Sequence, residues 1–252
     1  MRILSIDSSL GTQLAVVDAA PSAAGVRALQ VLSQDEQADT RRHAESLGQM
    51  LSQALSAPEA AERPLDAVVA ATGPAPFTGL RAGLVTAGVV GRTRGVPVHG
   101  VSSLDAVARR ALDELGSHEG QAGPVVLVAT DARRREVYTA LFRANGPDDV
   151  TRLTEIIVCP PAQVAQRLAE QAPGPGGGSG GIDVVAGSGA SLYPELAEMA
   201  SYQKALAPVS GDALTQVRIA LARLERGEEL STQPLYLRHA DVQMPAARKR
   251  VR

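Results

Sequence analysis

The chain has 252 residues, 44% hydrophobic and 21% charged, enough for one large domain or two small ones around an aliphatic core. Aromatic residues make up only 2%, with no Trp, which argues against bases stacked on exposed rings, and a net charge of −2 excludes a general polyanion binder. The single cysteine, Cys159, excludes an intrachain disulfide and a cysteine metal cage. An acid at position 7 is incompatible with the apolar stretch of a signal peptide, and no apolar run approaches the roughly 20 residues of a membrane span. A reduced, cytoplasmic location is therefore expected. The only basic cluster, Arg248 to Arg252, reads as a solvated end.

In chain order, residues 2–7 predict a short strand ending in an acid, followed by the small, polar Ser8, Ser9, Gly11 and Thr12. Residues 13–18 and 26–33 predict two further strands. From Arg42 to Ala57, Leu47, Met50, Leu51 and Leu55 recur at helical spacing. Leu65 to Ala71 predicts a strand covered on both faces, interrupted only by Asp66. After the turn Thr72–Pro76 comes a helix from Thr78 to Arg94, closed by Gly95. A short strand over 96–98 follows, then a third helix to about Leu115 with Ser102 or Ser103 as its N-cap. The pattern restarts with strands over 125–130, 136–143 and 152–158 and a helix over 161–171. The Gly-rich stretch 173–181 has no packing capacity. A strand over 182–186 and a closing helix over 211–226 end it. Alternating helices and buried strands predict an α/β protein of two tandem halves, the second reduced.

The helix over 78–94 is unusual. Gly79, Gly83, Ala87 and Gly91 repeat every four residues, although each interior glycine costs about 1 kcal/mol relative to alanine. Small residues in register allow another backbone to approach one face. Leu80, Leu84, Val85, Val89 and Val90 leave little polar surface elsewhere, so either the helix is simply central or one face meets a partner.

Several of these segments resemble one family. Ile3-Leu4-Ser5-Ile6-Asp7-Ser8-Ser9, His43-Ala44-Glu45-Ser46-Leu47 and above all Phe77-Thr78-Gly79-Leu80-Arg81 within residues 72–83 resemble the TsaB family of bacterial tRNA threonylcarbamoyladenosine biosynthesis proteins. Asp131-Ala132-Arg133, Glu136-Val137-Tyr138, Gly187-Ser188-Gly189-Ala190 and Pro234-Leu235-Tyr236-Leu237-Arg238 extend the likeness to about residue 240. Ala75 and Pro76 depart from the usual Gly and Ser and stiffen the turn. The resemblance implies an actin-like, ribonuclease H-like α/β fold (the ASKHA superfamily) with subdomains over 1–103 and 104–240 and a flexible basic tail over 241–252. The closing helix is expected to pack back on the first subdomain. It also implies a TsaD-like catalytic paralogue and a TsaE-like ATPase as partners, and a product carried on adenosine 37 of tRNA. The chain would self-pair into a homodimer when alone and meet tRNA only through the complex, with no membrane involved.

In the catalytic paralogues, as the resemblance has it, two histidines four residues apart hold a metal at the start of the helix after the fifth strand. Ser103 and Val107 occupy those positions here. His43, His99, His118 and His239 form no second pair, and neither Cys159 nor Ser188 sits in a nucleophile motif. Asp7, Ser8, Ser9, Gly11 and Thr12 have the shape of a first phosphate loop and are the candidate nucleotide-binding residues. Asp131–Arg133 stands where a second phosphate loop would be.

Three functions are thus expected to compete. The first is a non-catalytic scaffold or activator, with His43, Leu47, Met50, Leu51, Leu80, Gly83, Leu84 and Ala87 as its docking surface. A Gly83→Arg change should then break pairing and spare the fold. The chain would carry no cofactor of its own, with ATP or ADP only at a shared interface. The others are an actin-like kinase or ATPase, for which the chain is short, and a peptidase, for which no nucleophile constellation exists.

Overall fold

The computed structural model describes residues 1–20, 27–38, 43–115, 123–171, 181–201, 205–206 and 212–237, without the side chains of 43–45 and 205–206. The basic tail, most of the Gly-rich stretch, His118 and His239 lie outside the described residues.

The first lobe opens with three antiparallel strands, β1 (Arg2–Asp7), β2 (Thr12–Ala19) and β3 (Leu29–Gln37). Helix α1 (His43–Ser56) and the short α2 (Pro58–Ala61) lead into β4 (Ala67–Ala71), which pairs parallel with β1. Helix α3 (Phe77–Arg94) then returns the chain to β5 (Val98–Val101), parallel to β4. The sheet order is β3-β2-β1-β4-β5. Its central strands are covered on both faces, as their continuous apolar sequences require. Leu4, Ile6, Val68 and Ala70 pack toward α1 and α3, while Ile3, Ala67 and Val69 face the other way.

Helix α4 (Ser103–Leu115) crosses to the second lobe, whose strands are β6 (Val126–Asp131), β7 (Val137–Ala144), β8 (Val150–Arg152) and β9 (Ile157–Cys159). A 3-10 turn (Pro161–Gln163), α5 (Val164–Gln171), β10 (Val184–Ala186), α6 (Ser188–Leu192), α7 (Pro194–Ala197) and β11 (Ala205–Leu206) complete it. Read as β8-β7-β6-β10-β11, this sheet repeats the strand directions of the first: antiparallel outward from β6, parallel across β10 and β11. The second sheet thus has the strand order of the first, with β8, β10 and β11 shorter than β3, β4 and β5. Helix α8 (Ala213–Glu225) then packs back on the first lobe, with Val217, Ala220 and Leu221 against Ile3, Ala15 and Val17. The two crossing helices, α4 and α8, form the junction between the lobes.

Three expected boundaries moved. The strand expected over 26–33 runs over 29–37, because the polar residues 33–37 pair with β2 on the open edge of the sheet. That expected over 96–98 starts at Val98, since Pro97 has no N–H for the ladder but still accepts from Val68 N through its carbonyl at 2.9 Å. The single strand expected over 152–158 is two. Both pair with β7, and the register slips by two residues between them, where Thr154 Oγ1 accepts from Leu141 N. Ser102 and Ser103 precede and open α4, but neither hydroxyl makes a hydrogen bond, so the expected side-chain cap is not formed.

Candidate functional site: the cleft between the lobes

Strands β1 and β6 end side by side in two tight turns, one from each lobe, and a hollow of about 170 Å3 lies between them. Ser9 and Leu10 face it from the first turn, Asp131 and Arg133 from the second, and Pro76, Thr78 and Gly79 from the start of α3. A smaller recess, with room for about one water, continues inward to Ser103, Val107 and Thr130. The hydroxyls of Ser103 and Thr130 are buried there without a hydrogen-bond partner, so an ordered water is the natural occupant.

Asp7, the last residue of β1, is buried behind Ser9 and lines neither space. Its Oδ1 accepts from Ser9 N at 2.8 Å and Ser9 Oγ at 2.6 Å, and its Oδ2 accepts from Gln216 Nε2 at 2.8 Å. Burial pushes its carboxyl up to about 6, against the opposite pull of the Ser9 hydrogen bonds. A buried acid without a cation beside it lowers stability, and such groups gather at functional sites. Within the turn, Ser8 Oγ donates to Gly79 O at 2.8 Å, and Ser9 N is taken by Asp7. These two donors are thus directed into the protein rather than toward the hollow. The hollow is also smaller than the roughly 300 Å3 at which small-molecule sites usually begin.

On the facing turn, Asp131 accepts from Arg133 N at 2.8 Å and its own N–H donates to Ser188 Oγ at 2.9 Å. Arg133, Arg134 and Arg135 all have positive φ (63, 55 and 60°), a strained conformation for side-chain-bearing residues, and all three are exposed. Ser103 and Val107, one helical turn apart on α4, both line the recess. A serine hydroxyl and a valine side chain supply no imidazole to a metal at this wall. No cluster of three or more His, Cys, Asp or Glu able to hold a metal occurs among the described residues. Cys159 is buried, and burial pushes its thiol up.

The expected docking residues are distributed differently. Leu47, Met50, Leu80, Gly83 and Ala87 are buried inside the chain, while Leu51 and Leu84 are half-buried. The His43 side chain lies outside the described residues. A Cβ on Gly83 would sit 2.2 Å from Ser8 Oγ, so Gly83→Arg would disrupt the fold as well as any pairing, contrary to expectation. The glycine stripe of α3 therefore faces the sheet. What faces solvent is Phe77, Val85 and Val89, each at least 50% exposed, with Gly48 and Gly88 opening onto empty space. Periodicity alone marked α3 as apolar all round, and only the side on which the sheet lies separates the two faces. Phe77 stacks on Tyr236, ring centroids 5.1 Å apart, with the Arg81 guanidinium 4.8 Å from its centroid. This contact fastens the C-terminal segment, whose Leu235 N donates to Thr72 O at 2.9 Å.

Two lobes of like topology around a cleft define an actin-like α/β protein. The family described as TsaD, tRNA N6-adenosine threonylcarbamoyltransferase, matches residues 30–177, more than half of the chain, and the chain belongs to that family. It is 41% identical to an uncharacterized protein of Mycobacterium tuberculosis over 146 residues, covering 55% of this chain and 64% of that protein. To one from Mycobacterium leprae it is 46% identical over 105 residues, covering 42% of this chain and 26% of that protein. The chain thus spans less than two thirds of the length of these relatives. Among solved structures, YeaZ from Pseudomonas aeruginosa shares the fold at a TM-score of 0.68 and 23% identity, covering 94% of this chain and 100% of that chain. A second Pseudomonas aeruginosa structure, of an uncharacterized protein with similarity to peptidase YEAZ, gives 0.69 and 24%, over 94% and 99%. No helix among the described residues is long and apolar enough to cross a membrane.

Proposed function

We propose that this chain is a TsaB-type, non-catalytic subunit of cytoplasmic tRNA threonylcarbamoylation, which activates a TsaD-like catalytic paralogue together with a TsaE-like ATPase. The single observation that carries this reading is the cleft wall of α4, lined by Ser103 and Val107, the positions that by the resemblance correspond to the metal-binding histidines of the catalytic paralogues. A family member without those ligands needs a relative that has them. The chain has no cofactor of its own in this reading, and ATP or ADP is held, if at all, at the surface shared with the partner.

The outer side of α1 and α3 is the docking surface. Val85 and Val89 are exposed apolar groups beside Gly48 and Gly88, and the half-buried Leu51 and Leu84 belong to the same helices. The buried members of the expected set, Leu47, Met50, Leu80, Gly83 and Ala87, act from behind by holding both helices on the sheet. Without its partner the same surface pairs with a second copy of the chain. The experiment is a reconstituted modification assay on tRNA with the paralogue and the ATPase, with and without this chain. Modification is expected only when all are present. Modification by the isolated chain, or full activity in its absence, would overturn the proposal.

A further inference from the structure

The side of the lobe junction that faces away from the cleft carries a dense network of buried charge. The turn between β7 and β8 contributes Asp148 and Asp149, at 5% and 1% exposure. Both belong to the second lobe, yet their carboxylates are bound by Arg27 of the first lobe and by arginines of α8, which packs on that lobe. Asp148 accepts from Arg27 N at 3.0 Å, just ahead of β3, and pairs with Arg218 Nε of α8 at 2.8 Å. Asp149 accepts from Arg223 Nε at 3.0 Å and pairs with Arg226, both at the end of α8. The turn's carbonyls are used as well: Pro147 O accepts from Arg218 at 2.7 Å, and Asp149 O from Arg109 of α4 at 3.2 Å.

The crossing helices are tied to each other by the same groups. Arg218 reaches Asp113 of α4 at 2.6 Å, and Arg223 reaches Asp105 of α4 at 2.9 Å. Each arginine therefore bridges the returning helix, the outgoing helix and the second lobe at once. Two-lobed folds of this kind can swing about such crossing helices. Swinging here would separate several charge-assisted bonds and leave the buried Asp148 and Asp149 carboxylates without counter-charges.

We propose that the Asp148–Asp149 turn is a latch that fixes the angle between the two lobes, so that the cleft keeps one width whether or not anything occupies it. The chain then offers its partners a rigid body. The latch stands independently of the proposed function, since it concerns only this chain's own motion.

The test is a pulsed electron-spin distance measurement between labels at Gln53→Cys on α1 and Ala169→Cys on α5, both exposed, in a Cys159→Ala background. Dilution with unlabelled chain restricts the reading to distances within one molecule. The wild-type network should give one narrow distribution, unchanged by added magnesium and ATP; a broad or two-peaked one would overturn the latch without any further variant. Asp149→Asn should broaden the distribution and shift its mean. Should that variant fail to fold by circular dichroism, the double change Arg218→Gln with Arg226→Gln, at more exposed positions, is expected to do the same. A folded variant that keeps the wild-type distribution would refute the proposal.

Discussion

The two sides of the α4–α8 junction treat a buried carboxylate in opposite ways. On the cleft side, Asp7 is 2% exposed and held only by neutral donors, Ser9 and Gln216. On the far side, Asp149 is as deeply buried but sits between two arginines. Burial disfavours a charge in both places, and the partner decides the result. The far side is built to hold the lobes together. The cleft side buries an acid with neutral donors alone, so its ionisation works against folding.

The strongest way to break this contrast is to remove the far-side acid. Asp149→Ala would take from Arg223 and Arg226 the buried one of their two carboxylates, leaving them Asp105 and Glu228, and should lower stability by about 3 kcal/mol in urea denaturation. A loss below about 1 kcal/mol would mean that the network is solvent-relaxed and the contrast false.

The cleft acid predicts a pH effect of the opposite kind. Its folded value, about 6, lies above the ordinary 3.8, so ionising Asp7 opposes folding. Its contribution is fully favourable below about pH 4 and declines as pH rises through 6, by roughly 3 kcal/mol. Asp7→Asn should flatten that part of the pH–stability profile and be at least as stable as wild type at pH 7, because the unpartnered Gln216 Oε1 can then accept from the new amide. An unchanged slope between pH 4 and 6 would show that Asp7 is not the group responsible.

Helix α3 sharpens the same lesson about faces. Gly83→Ala forces the Ser8 hydroxyl from its bond to Gly79 O and should cost about 1–3 kcal/mol by thermal melting. On the opposite face, Val85→Arg should shift stability by no more than about 0.5 kcal/mol while abolishing self-pairing in analytical ultracentrifugation. Equal destabilisation by both would mean that the helix has no free face. Between these in size, Tyr236→Ala removes the ring stacked on Phe77 and should cost about 1 kcal/mol, read in the same melts.

Much of this was visible in the chain itself. Continuous apolar runs placed β1, β4 and β6 in sheet interiors, and the Asp–Ser–Ser and Asp–Ala–Arg turns pointed to a pair of loops that do meet across one cleft. The repeating small residues of α3 foretold a close approach to this face, but not that at Gly83 it is made by the chain's own Ser8 and Ile6 side chains rather than by another backbone. The latch was invisible. Arg27, Arg109, Arg218 and Arg223 lie as much as 196 residues apart along the chain, and each reads locally as an ordinary surface cation.

The sequence by itself determined the class of fold, the repeated halves and the absence of imidazole from the α4 pair, because periodicity, turn chemistry and residue identity are local properties. The tertiary structure alone decided which face of α3 is open, how little room the cleft leaves and which acids find a counter-charge. Those depend on what packs against each residue from elements distant in sequence, and desolvation and ion pairing act through distance in space rather than along the chain.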